Sequence, residues 1–157
     1  MSLRWRLGWL ALMFPLVGCD HATKWAAKGA LEDQPPRQLV GRVFELRYTE
    51  NTDVAFNLLR GIPESVRRYA LLVFGAAALV ALVIALARAQ RPWMRAGLLL
   101  IGAGAAGNYL DRVLRGYVVD FIHVTHWPVF NVADIYVVAG AALMAALVWR
   151  SRSVAAA

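Results

Sequence analysis

The sequence predicts an all-α membrane protein with four transmembrane helices, a small sheet on its outer side and a short helix between the first two spans. Three observations carry that class. Of 157 residues, 60% are hydrophobic and 17% charged, well above the apolar share of roughly 45–50% in soluble domains. Tyr69 to Ala87 is a run of 19 residues without a charge, long enough for a hydrocarbon core of about 30 Å. Arginines cluster in the short segments that bracket the apolar runs.

The first span is read at approximately 7–27, uncleaved although Leu16-Val17-Gly18-Cys19 resembles a lipoprotein signal sequence. Asp20, Lys24 and Lys28 continue at helical spacing past that cysteine, which argues against processing and anchoring there. Residues 29–68 form the one sizeable extramembrane piece. Pro35-Pro36 opens it as a linker, and from Val43 a period of two puts Phe44, Leu46 and Tyr48 on one face, the pattern of a strand. Asn51-Thr52-Asp53 reads as a turn and Val54–Phe56 as a second strand, so the sheet is placed at approximately 42–60. Gly61-Ile62-Pro63-Glu64 then starts a helix leading into the second span at 69–87. A short loop with Pro92 leads to the third span at 93–114, and the fourth is read at 129–149, all within one domain, 1–157.

Alternating the sides gives one face Arg4, Arg6, Arg88, Arg91, Arg95, Arg150 and Arg152 and no acid. The other face receives the remaining ten bases and all ten acids. Short arginine-rich segments stay cytoplasmic, so both termini are expected inside and the acidic motifs outside. Bases that bracket spans do not form a nucleic-acid stripe, and no nucleic-acid partner is expected.

Gly102-Ala103-Gly104-Ala105-Ala106-Gly107 matches the dinucleotide fingerprint in form. That motif works only between a strand and a helix; mid-span, small residues serve close helix contact. One cysteine excludes an internal disulfide and a zinc–thiolate cluster. His123 and His126, beside Trp127, read as surface residues of a membrane-skimming loop rather than as a metal site with Asp120 and His21. Asp20 and Lys24 read as a structural i,i+4 ion pair, and Asp111 with Arg112 as structural partners.

Asp120 and Asp134 stand at the facing ends of two apolar segments, about 96–122 and 129–149. A carboxylate at such depth costs roughly 2.5–3.5 kcal/mol on insertion scales, which points to a use. Asn108 and Arg112 share a helix face, and Asn131 precedes Asp134 by three residues. Amides and a guanidinium so placed suit carboxylates in a polar pocket. From spacing alone, catalysis and proton- or cation-coupled transport both stay open, though four spans without a repeat fit the usual transporter architecture poorly.

Asp20-His-Ala-Thr-Lys24, Asn51-Thr-Asp-Val-Ala-Phe56, Gly107-Asn-Tyr-Leu-Asp-Arg112, Gly116-Tyr-Val-Val-Asp-Phe121 and Phe130-Asn-Val-Ala-Asp-Ile135 follow in this order. Together they resemble the lipoprotein signal peptidases (signal peptidase II), aspartic peptidases of the bacterial inner membrane, over nearly the whole chain. The resemblance implies four transmembrane helices, a small periplasmic β-sheet, cytoplasmic termini and an active site at the periplasmic face. It implies catalysis by Asp120 and Asp134, supported by Asn51, Asn108, Arg112 and Asn131, with Asp20 and Lys24 from the DxxxK motif. The implied substrate is a prolipoprotein cut before its diacylglyceryl-modified cysteine; phospholipids are the surroundings, a monomer is expected, and neither metal nor cofactor. Asp53 departs from the family's usual glycine, a change an aspartate can tolerate at φ > 0 better than most residues.

Overall fold

The structure, a computed structural model, describes residues 3–41, 43–52, 61 and 63–155. Helices α1 (Leu3–Ala11) and α2 (Met13–Leu31) run almost end to end. Pro15 has no N–H to offer the carbonyl of Ala11, and its ring crowds that carbonyl, which accounts for the interruption at Leu12. Strands β1 (Arg37–Val40) and β2 (Phe44–Asn51) follow, then α3 (Glu64–Arg88), α4 (Pro92–Leu114), β3 (Val118–Val124) and α5 (Val132–Ala155).

α3 and α5 are long and apolar enough to cross a membrane. Pro92 sits in the first turn of α4, where a missing N–H is harmless. Buried Arg95 turns back to donate to the carbonyls of Ala89 and Gln90 at 2.9 and 3.1 Å, satisfying acceptors that the end of α3 leaves open. α4 and α5 touch through small residues, as the glycine run predicts. A Cβ on Gly104 would collide with the carbonyl of Ala133, and one on Gly140 would lie 2.6 Å from the carbonyl of Gly97.

The sheet is antiparallel, in the order β1-β2-β3. Of the face predicted for β2, Leu46 and Tyr48 pack on a core of Ala27, Leu31, Val119 and Phe121. The strand is half-buried at every position except exposed Glu50, so burial does not alternate along it. The third strand corrects the sequence reading. Residues 118–124 do not prolong the apolar segment that begins at Ala96; α4 stops at Leu114 and Gly116 takes φ +84°, a conformation glycine adopts without a Cβ penalty. β3 then pairs with β2, Thr49 opposite Asp120, so Asp120 arrives on a strand. β1 is a second addition, in a stretch with no alternation to announce it. Val54–Phe56 and Asp53 lie outside the described residues. Among the described residues there is no separate short helix before the second span: Glu64 opens α3 itself.

Candidate active site

Five elements meet at one polar cluster: α2, β2, α4, β3 and the start of α5. Asn131 stands immediately before α5, its Oδ1 accepting from the backbone N–H of Asp134 at 3.0 Å. Asp134 returns the bond, its Oδ2 accepting from the backbone N–H of Asn131 at 3.1 Å. This reciprocal capping box satisfies two donors that a helix start leaves orphaned. It also fixes the Asp134 carboxylate at the head of the helix.

The side-chain amide of Asn131 reaches the other carboxylate, donating to Asp120 Oδ1 at 2.6 Å. Asn51, at the end of β2, donates to Asp120 Oδ2 at 2.8 Å. Asn108 donates to Asp134 Oδ1 at 2.8 Å. Each oxygen of the two carboxylates therefore accepts from a neutral amide, and Asn131 holds one of each pair. Asp120 is buried, and burial pushes its carboxyl up to about 6. The Asn51 amide pulls against that shift, the charge of Asp134 adds to it, and the Asn131 amide again pulls against it.

Below this layer lies Lys24, fully buried. Its ammonium meets Asp20 Oδ2 at 2.8 Å and Asp111 Oδ2 at 2.9 Å, and donates to Asn108 Oδ1 at 2.9 Å. Three N–H bonds find three acceptors. Only the carbonyl end of Asn108 can face an ammonium, so Lys24 aims the amide nitrogen at Asp134. Asp20 Oδ1 accepts from the backbone N–H of Ala133 at 2.9 Å, docking α2 on the first turn of α5. That approach needs Gly107, where a Cβ would strike the Asp20 carboxylate. Asp111 accepts from the backbone N–H of Val119 at 3.4 Å and faces Arg115 at 3.4 Å and His21 at 3.6 Å. Arg112 donates to the carbonyl of Asn108 at 3.2 Å, within electrostatic reach of Asp120, Asp134 and Asp111.

The structure thus brings together Asn51, Asn108, Arg112, Asp120, Asn131 and Asp134, with Asp20, Lys24 and Asp111 directly beneath. The Asp20–Lys24 pair is more than a local helix contact, because it carries Asn108 with it. His123 corrects the loop reading: it lies in β3, with Nδ1 2.9 Å from Glu45 Oε1 on the neighbouring strand. Among the described residues no group of three or more His, Cys, Asp or Glu side chains is placed to hold a metal. Sequence reasoning missed Arg115 and His21 as partners of Asp111. Arg115 was findable, four residues on from Asp111; the Ala133 backbone N–H was not.

The sequence pattern of a family described as Signal peptidase (SPase) II matches residues 12–150. The chain belongs to that family. Among signal peptidase II relatives, it is 37% identical to the lipoprotein signal peptidase of Rhodococcus jostii, over 87% of this chain and 71% of that one. It is 38% identical to the lipoprotein signal peptidase of an Anaeromyxobacter species, over 90% of this chain and 83% of that one. A solved bacterial membrane enzyme shares the fold with a TM-score of 0.81 at 24% identity, covering 93% of this chain and 90% of its own. A second, at 25% identity, gives 0.72 over 90% and 92%. Membership of the signal peptidase II family makes this chain a peptidase of bacterial membranes and sets the transport reading aside.

Proposed function

We propose that this chain is an aspartic endopeptidase that removes signal peptides from diacylglyceryl-modified prolipoproteins, cutting before the lipidated cysteine. One observation carries the catalytic type: a single residue, Asn131, bonds both Asp120 and Asp134. Two acids from a strand and a helix so held form one site. They cannot both ionise easily, so one proton is shared. The ionised member takes a proton from a water attacking the scissile carbonyl, while the protonated member donates to the carbonyl oxygen. The tetrahedral diol then collapses with the roles reversed, and the amine leaves protonated. Asn51, Asn108 and Asn131 orient the carboxylates, and Arg112 offers positive charge near the developing oxyanion.

The placement of the arginines supports four spans: α1 with α2, then α3, α4 and α5. Both termini are then cytoplasmic and the dyad lies at the periplasmic face of the inner membrane, with the whole chain acting as one peptidase unit and as a monomer. A site at that level lets acyl chains stay in the bilayer while the peptide reaches the dyad. Single-turnover cleavage of a purified diacylglyceryl prolipoprotein tests the assignment. Asp120→Asn and Asp134→Asn should each lose at least about 10²–10⁴-fold, the span of acid–base catalysis. Undiminished cleavage by either variant removes that aspartate from the chemistry.

A further inference from the structure

Between the start of α3 and the end of α4 lies a cavity of about 170 Å³. Among the described residues, four arginines line it, Arg67, Arg68, Arg112 and Arg115, against one acid, Glu64. Arg115 also faces Asp111 and Arg112 also bonds the Asn108 carbonyl, yet four guanidinium forks around so small a space suit an anion with several oxygens, phosphate above all. The rest of the lining narrows the choice. Leu71 and Leu72 stand among the arginines, so the anion must tolerate an apolar neighbour. Arg68 immediately precedes the uncharged run 69–87, and exposed Tyr69, Val73 and Phe74 follow on the same helix. Aromatic and basic residues at the head of an apolar span mark the level of lipid headgroups. A second cavity shares Glu64, Arg68 and Leu72 and adds Tyr69, continuing the surface along α3.

We infer that this arginine-lined cavity binds the headgroup phosphate of an anionic glycerophospholipid, beside the dyad and distinct from it. The phosphate meets the guanidinium groups, and the glycerol and acyl carbons follow the leucines of α3 into the bilayer. An acidic side chain of a peptide satisfies the charge but brings no apolar body. Arg112 belongs to both places: its NH1 donates to the Asn108 carbonyl while the side chain lines the cavity. The inference rests on the membrane reading of α3, and its readout is lipid retention, so it stands or falls apart from the peptidase assignment.

The test uses the full chain purified in detergent, titrated with phosphatidylglycerol or phosphatidylcholine and read by native mass spectrometry. Wild type should retain phosphatidylglycerol in preference. Arg68→Gln should weaken it about fivefold, and Arg68→Gln/Arg115→Gln by roughly the square of that, as expected of basic groups near an anionic surface. Arg68 is exposed, so its single variant reads the site without burdening the fold. The charge-matched pair Arg37→Gln/Arg47→Gln, on the sheet, should change nothing. Equal retention of both lipids, or an equal loss in the sheet variant, overturns the site. Inorganic phosphate binding as tightly as the lipid makes it a free-anion site and overturns the lipid assignment. So does an Arg68→Gln effect confined to the binding of substrate peptides bearing Asp or Glu.

Discussion

Two pairs of aspartates stand almost back to back in this molecule, and Asn108 touches both groups. Asp20 and Asp111 share the ammonium of Lys24. Asp120 and Asp134 share Asn131, and each of their four oxygens accepts from a neutral amide, with the Arg112 guanidinium within electrostatic reach of both. The residue type is the same; the complement differs. The Lys24 ammonium sits between two acids, with Arg115 as a second cation against Asp111, and removing it strands a buried charge. An amide orients a carboxylate without cancelling its charge, and at Asp120 burial and the neighbouring Asp134 outweigh the amides and hold the carboxyl above its ordinary range. On the proposed mechanism the first pair holds the frame and the second exchanges a proton. Lys24 serves both, holding its own acids and turning Asn108 toward Asp134.

The sharpest way to break this contrast is Lys24→Met. It strands a buried charge and should cost roughly 3–5 kcal/mol, read as a collapse of the thermal unfolding midpoint in detergent. Asp120→Asn, which strands no charge, should cost about 1–3 kcal/mol at most while abolishing cleavage. Equal losses in the two variants would erase the distinction. Next comes Gly107→Ala, whose methyl would strike the Asp20 carboxylate and should destabilise by about 1–3 kcal/mol. Gly102→Ala is its control, because that methyl meets only the flexible end of Met13, at 3.3 Å.

The smallest effect concerns pH. The singly protonated pair exists below the higher of its two apparent pKa values, which belong to the pair. With burial, the Asn51 amide and the Asp134 charge setting Asp120 at about 6, kcat/KM should fall as pH rises through that value. Asn51→Ala removes a donor that favours the charged form, so this alkaline limb should move upward by roughly one pH unit. A limb that moves down, or stays where it was, contradicts the proposed role of Asn51.

Much of the site was legible in the chain because its chemistry is local in sequence. Asn131 and Asp134 are three apart, Asn108 and Arg112 four apart, and Asp20 and Lys24 four apart, spacings that a helix turns into neighbours. The packing residues Leu46 and Tyr48 of β2 were legible for the same reason, two apart on one face of a strand. β3 was not. Val118, Val119, Asp120 and Phe121 are all buried, so no alternation separates that strand from a continuing helix. Gly116 was the available sign. β1 is exposed at all four positions and carries no burial pattern at all. The bridge from Lys24 to Asn108 spans 84 positions and follows only from how α2 meets α4.

The capping box at Asn131 and Asp134 has a consequence for turnover. The carboxylate that closes the first turn of α5 is also one that gains and loses a proton in each proposed cycle. When Asp134 is neutral it accepts more weakly from the Asn131 N–H, and Asn131 is the residue that reaches across to Asp120. The beginning of a helix would then loosen and tighten in step with catalysis, and each aspartate would sense the other's proton through a shared piece of backbone as well as through space.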